Sequence, residues 1–167
     1  MDLPRLNVAL RAHGYAVLVV GTFLVALPAL ARQLDGALGF TIPIPLAWAG
    51  YVLLPVAGSL SYRSFWLFMT RGEGTAFPTD PPQRLVILGP YRYVRNPMYL
   101  GNLGIVVAEG LALRSPGILL YAAMLSLVVH LYVTRSEEPA LMKRYGDPYR
   151  RYMEAVRRWL PGPPISA

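Results

Sequence analysis

Gly89-Pro90-Tyr91-Arg92-Tyr93-Val94-Arg95-Asn96-Pro97-Met98-Tyr99-Leu100-Gly101 is a polar, basic and aromatic run set between long apolar segments. Its last part carries a helix start signal. Asn96 is of the type that accepts backbone hydrogen bonds as N-cap, and Pro97 suits the first helical position because its φ is already fixed. Residues 98–113, which follow, are apolar enough to enter a membrane. A helix N-terminus exposes unpaired N–H groups and a partial positive charge, so this start is suited to an anion such as a carboxylate or phosphate. With Arg92 and Arg95 just ahead of it, the run reads as the floor of a site at the mouth of a membrane helix.

Composition agrees with a membrane setting. Hydrophobic residues make up 54% of the 167 and charged ones 15%, and the mean hydropathy is +0.39, a balance that a soluble domain of this size would struggle to keep dispersed. The net charge of +7 does not point to nucleic acid, because the arginines are confined between apolar segments and form no continuous basic stripe. The absence of cysteine excludes disulfides, thiolate nucleophiles and cysteine metal sites. No zinc-ligand spacing, phosphate-binding Gly-rich loop or Rossmann fingerprint is present, so neither a metal site nor a soluble nucleotide-binding fold is expected.

Four apolar runs give an all-α integral membrane domain of about four spans: about 14–31, 44–69, 97–113 and 118–133. The first run competes with a cleavable signal peptide, since a basic start and Ala29-Leu30-Ala31 before Arg32 have that form; its length and the runs that follow favour a span. Residues 32–41 make a polar turn. In the second run Pro55 removes a backbone hydrogen bond and predicts a kink. Arg63, beside Tyr62 and Trp66, reads as an interface arginine that snorkels among belt aromatics, with direct ligand contact as the alternative. A Gly- and Pro-rich loop at 71–88 serves as connector or lid.

Charge placement orients the spans. With a cytosolic N-terminus, the inner side holds Arg5, Arg11, Arg71, Arg84, Arg92, Arg95, Arg135, Lys143, Arg144, Arg150, Arg151, Arg157 and Arg158, and the outer side only Arg32 and Arg114. Both termini are then cytosolic, in a membrane expected to be the bacterial inner membrane. One hairpin brings the start of the third span, at Arg95-Asn96, to the same face as the exit of the fourth, at Arg135-Ser136-Glu137-Glu138. Beyond it lies an amphipathic cytosolic helical tail. Tyr145-Gly146 ends one short helix there, Asp147-Pro148 starts another, and Tyr149, Tyr152, Met153, Val156, Trp159 and Leu160 give an apolar face to close over the site or rest on headgroups.

Three ionisable features stand out. Glu137 and Glu138 are adjacent and point about 100° apart on a helix of 3.6 residues per turn, so one can bind ligand while the other pairs with an arginine. His130, Thr134 and Glu137 share one face. Glu109 lies about 18 Å into the third span at helical rise, a depth at which a carboxyl is either functional or paired with a polar neighbour. Gly101, Gly104 and Ala108 suit close helix packing.

Gly89 to Gly101, Glu137-Glu138-Pro139-x-Leu141, Tyr145-Gly146-x-x-Tyr149-x-x-Tyr152 and Arg158-Trp159-Leu160-Pro161 together resemble the C-terminal signature of the isoprenylcysteine carboxyl methyltransferase and phospholipid N-methyltransferase superfamily. The resemblance covers residues 88–161. It implies an integral membrane enzyme that holds S-adenosyl-L-methionine between the third and fourth spans and the C-terminal segment, without a Rossmann domain. Many members have His where this chain has Asn96, and the chain looks more like a bacterial branch that combines this Asn with a Glu in the third span and a His in the fourth. The resemblance does not supply that branch's substrate.

On that footing the methionine carboxylate is expected near Arg95 and the helix start at Asn96 and Pro97, with Glu137 or Glu138 on the amino group or ribose. Tyr91, Tyr93 and Tyr99 would flank adenine or sulfonium. Arg135 or His130 would handle the carboxylate or proton of a lipophilic acceptor, favouring carboxyl O-methylation. For a phosphatidylethanolamine amine, Glu109 or His130 would be the base. A nicotinamide-dependent membrane reductase is disfavoured by the short chain, and the rival from another class is a non-enzymatic membrane subunit or small transporter that uses Glu109 and Arg63 as partner contacts.

Overall fold

A computed structural model describes residue 14, residues 17–71 and residues 84–165. The Arg5 and Arg11 start, and most of the loop read as a connector or lid, lie outside the described residues. Among the described residues every regular element is helical. We label these α1 (Val17–Leu38), α2 (Ile44–Arg71), α3 (Pro97–Ala112), α4 (Pro116–Tyr145) and α5 (Asp147–Ala155), with a 3-10 turn at Gly89–Arg92.

Helices α1, α2 and α4 are each long and apolar enough to cross a membrane. With 16 residues, α3 is shorter, about 24 Å at helical rise, and it sits centrally against α2 and α4. Large apolar side chains such as Trp48, Val52, Val56, Met124 and Leu127 point outward, as lipid contact requires. The inner packing joins Leu24 of α1, Val106 of α3, and Ile118 and Ala122 of α4.

Close approach of α2 and α3 depends on missing side chains. A Cβ on Gly101 would stand 2.6 Å from Ser61 N and 2.7 Å from Ser61 Cα, and one on Gly50 would stand 2.5 Å from Ala112 N. Small residues therefore set this interface, as the spacing of Gly101, Gly104 and Ala108 predicts. Towards the start of α3, Ser61 Oγ donates to Asn102 Oδ1 at 2.6 Å across the same seam.

Two element boundaries differ from the sequence expectation. First, α1 does not end at Ala31 but continues to Leu38, where Gly39 takes φ +72. Asp35 is the reason, because its Oδ1 accepts from Ser115 Oγ and Gly117 N, both at 2.8 Å, and ties the helix end to the α3–α4 turn. Second, α4 does not stop at Val133, and Tyr145-Gly146 ends that same helix rather than a separate one. The backbone passes the membrane end through a wide turn at Val133–Glu137, in which Glu138 N–H reaches Val133 O.

Proline explains the wide turn. Pro139 has no N–H to give and its ring crowds the carbonyl four residues earlier, so widening the preceding turn relieves the clash without ending the helix. The widened stretch Val20–Ala26 in α1 precedes Pro28 in the same way. By contrast α2 runs on through Pro55 as a continuous helix.

The tail folds back as helix plus strap. Tyr149, Tyr152 and Val156 form a small buried core with Leu85, Ile87, Leu141 and Met142 among its neighbours. Gly146, at φ +61, is the turn before α5, so Asp147 is its first residue rather than its cap. Its Oδ1 lies 3.6 Å from Arg150 Nη1. Residues 156–165 then cross the site stretch. Arg95 N–H donates to Arg157 O, Gly162 N–H to Tyr93 O and Ile165 N–H to Arg92 O, while Arg92 Nε donates to Ile165 O at 2.7 Å.

Candidate functional site

Hairpin topology brings the two polar motifs into contact. Tyr99 Oη donates to Glu137 Oε2 at 2.9 Å, and Arg95 Nη1 lies 3.2 Å from Glu138 Oε1. Glu137 closes the wide turn and Glu138 opens the regular helix after it, and each faces a different partner.

Glu138 is buried and doubly engaged. Arg158 holds it by a fork, with Nε to Oε1 and Nη2 to Oε2, both at 2.8 Å. Such bidentate pairing is among the stronger charge-assisted contacts. Glu137 has one oxygen on Tyr99, which leaves Oε1 as an acceptor directed by neither arginine.

Arg95 is the unbalanced member. Its side chain is 9% exposed, and although Nη1 is at ion-pair distance from Glu138, neither Nε nor Nη1 has a hydrogen-bond partner. Two guanidinium groups thus share the Glu138 carboxylate, and Arg95 keeps two donors unsatisfied. Leaving buried donors unpaired costs about 1–3 kcal/mol each, so the arrangement is suited to receive an anion.

Asn96 does not cap α3 with its side chain. Its backbone carbonyl accepts from Leu100 N–H at 3.1 Å, while its Nδ2 donates 3.2 Å to Arg158 O. The amide is drawn to the strap because Arg158 is already fixed by Glu138. Asn96 thereby locks the strap over the helix start, and Pro97 beside it is fully buried.

The aromatics divide. Tyr91 is buried, with its hydroxyl turned to Ser64 O at 3.4 Å and its ring 6.3 Å from Phe68. Burial raises its pKa, as it does for Tyr152, whose hydroxyl donates to Tyr91 O at 2.7 Å. Both stay neutral donors that tie the turn to α2 and α5. Tyr93 is 45% exposed and lines a cavity, and Tyr99 belongs to Glu137.

His130 meets the strap. Trp159 Nε1 donates to His130 Nδ1 at 3.0 Å, and since indole only donates, the neutral ring carries its proton on Nε2. These two side chains, with Leu100, Leu103 and Ser126, line a cavity of about 300 Å³. A larger one, about 480 Å³, lies between α2 and the Gly89–Arg92 turn.

Two expected site residues stand apart. Arg135 is exposed and makes no ion pair with the described residues. Glu109, near the far end of α3, is half-buried and about 18 Å along the helix from Pro97. Sequence reasoning did not assign partners to Arg158 and Trp159, although Arg158-Trp159-Leu160-Pro161 marked them as a motif. No group of metal-binding side chains occurs among the described residues.

Residues 46–148, more than half of the chain, match the family described as phospholipid methyltransferase. The chain belongs to this family of membrane methyltransferases. It is also 32% identical over 133 residues to methanethiol S-methyltransferase of Pseudomonas deceptionensis, an alignment covering 77% of the chain and 48% of that protein. The chain therefore spans about half the length of this curated relative. An uncharacterized protein of Haemophilus influenzae is 40% identical over 63 residues, which cover 38% of the chain and all of the relative. No solved structure matches the chain.

Proposed function

We propose that the chain is an S-adenosyl-L-methionine-dependent integral membrane methyltransferase acting on a lipophilic acceptor whose attacking atom is anionic. One observation carries this reading: a nine-tenths buried Arg95 with two unsatisfied donors, beside a carboxylate that another arginine already neutralises. The methionine part of the cofactor is a carboxylate next to an ammonium. It fits a place where Arg95 offers donors and Glu137 keeps a free acceptor.

When bound, the cofactor supplies an electrophilic methyl on a sulfonium. Arg95 would hold its carboxylate and Glu137 its ammonium, with Tyr99 fixing the rotamer of Glu137. Glu138 and Arg158 act through Arg95, keeping it in place. The strap and the apolar walls at Leu100 and Leu103 exclude water, so aligning the two reactants is the main task left to the protein.

The choice of acceptor follows from proton handling. An amine must lose a proton to attack, yet Glu109 lies far from Arg95 and the Nδ1 of His130 is occupied by Trp159. A carboxylate needs no base, which favours an isoprenylcysteine-type or related small lipid acid over phosphatidylethanolamine. A thiolate is the second reading, supported by the likeness to a methanethiol S-methyltransferase. The basic residues at the inner ends of the helices support a cytosolic site in the bacterial inner membrane.

Purified protein in lipid, given cofactor labelled in its methyl group and presented in turn with a long-chain carboxylic acid, a thiol and phosphatidylethanolamine, tests the reading. Label in a base-labile ester or in a thioether is expected. Label confined to phosphatidylethanolamine would overturn the anionic-acceptor reading, and no transfer to any of the three by folded protein that binds no cofactor would overturn the enzyme.

A further inference from the structure

We propose that the cavity of about 480 Å³ between α2 and the Gly89–Arg92 turn seats the anionic head of a single-chain amphiphile drawn from the bilayer. Taking that amphiphile to be the methyl acceptor rests on the methyltransferase reading; the anion seat itself does not.

Charge comes first. Arg63 and Arg92 both line the cavity, and neither meets a carboxylate among the described residues. Arg92 spends its Nε on Ile165 O, which fixes the guanidinium at the wall. Arg63 is directed to the same turn, with its Nε 3.9 Å from the point where a Cβ on Gly89 would stand. Arg63 is exposed, so its stem can lie along α2 while its head borders the half-open cavity.

Depth comes second. Tyr62 and Trp66, exposed on the same turns of α2, stack at 6.4 Å and have the character of an interfacial belt. The cavity therefore opens at headgroup level. Its other lining is apolar: Leu60, Val94 and Leu100 offer a path for a chain. Leu100 also lines the smaller cavity beside His130 and Trp159, so the two spaces share that side chain as a wall. Two cations against an apolar wall select a head with negative charge on an apolar body. A cationic head is repelled, and a neutral one gains nothing from the arginines.

The test titrates dodecanoate, dodecanol, dodecyltrimethylammonium and acetate into the full chain in maltoside micelles, counting bound probe by native mass spectrometry. One dodecanoate is expected to bind about tenfold more tightly than dodecanol or the cation, a factor worth 1.4 kcal/mol. Arg63→Gln should abolish that preference, and Arg63→Glu should turn it towards dodecyltrimethylammonium. Equal binding of all the twelve-carbon probes, or a preference that survives Arg63→Gln, would overturn the proposal. So would acetate binding as tightly as dodecanoate, since that marks a seat for a dissolved anion. S-adenosylhomocysteine titrated into the same samples separates the two readings: its failure to bind wild-type protein counts against the enzyme, while the headgroup preference is judged on its own.

Discussion

At the scale of single residues, the site turns on how two arginines divide one carboxylate. Arg158 takes Glu138 by the fork and leaves Arg95 with donors to spare. Arg158→Gln removes both hydrogen bonds, so Arg95 becomes the sole cation for a buried Glu138 and is drawn onto it. Hydrogen bonds to charged groups are worth about 1.5–3 kcal/mol, and we expect S-adenosylhomocysteine affinity to fall by about tenfold or more in a calorimetric titration, although Arg158 touches no ligand. Unchanged affinity would mean that Arg95 is held by something else. The pairing of one glutamate with arginine was legible from the adjacency of Glu137 and Glu138, which cannot face one atom together. Which glutamate pairs was not legible. That depends on the wide turn before Pro139 and on a strap residue twenty positions later in the chain. Asn96 was misread for the same reason: its local sequence is that of a cap, but its Nδ2 is turned to Arg158 O and its side chain makes no cap bond to the helix.

At the scale of elements, the α2–α3 seam and the tail helix carry separate expectations. Gly101→Ala puts a methyl against Ser61 backbone atoms at 2.6 and 2.7 Å, which must force the helices apart. Overpacking of this kind costs about 1–3 kcal/mol, and a clear fall in the thermal midpoint is expected. Gly58→Ala, in α2 but facing open space, should leave the midpoint unchanged or raise it slightly, because alanine favours a helix by about 1 kcal/mol. In the tail, burial pushes Tyr149 up from 10.0 to about 12. An acid whose folded pKa is raised contributes stability that is fully present below its unfolded pKa and is lost as pH rises through the folded one. The thermal midpoint should therefore hold up to about pH 10 and fall between 10.0 and about 12, and Tyr149→Phe should flatten part of that fall. Helix starts and turns were legible here from Pro97 and Gly146. Helix continuation was not, because the apolar run ends at Val133 while a widened turn carries the helix on past Pro139.

At the scale of the whole molecule, the apolar runs carried most of the fold. The four runs became four helices, and the hairpin placed Tyr99 against Glu137 as the topology required. The cavities were not legible, since they arise where α2, the site turn and the strap meet, far apart in sequence. Orientation can be tested directly because the chain has no cysteine. Gly36→Cys and Lys143→Cys should react with a membrane-impermeant thiol reagent from opposite sides of sealed vesicles, Lys143→Cys from the cytosolic side. Labelling of both from one side would refute the four-helix crossing pattern. The central claim, that a buried Arg95 with unsatisfied donors is the anion seat of a methyl-donor site, is tested most directly by calorimetric titration of S-adenosylhomocysteine into wild-type protein and Arg95→Ala. Saturable binding to the wild type, weakened at least tenfold in a variant that remains folded, is the predicted result. Equal affinity in the two, or no binding to folded wild-type protein in lipid and in detergent, would contradict the account.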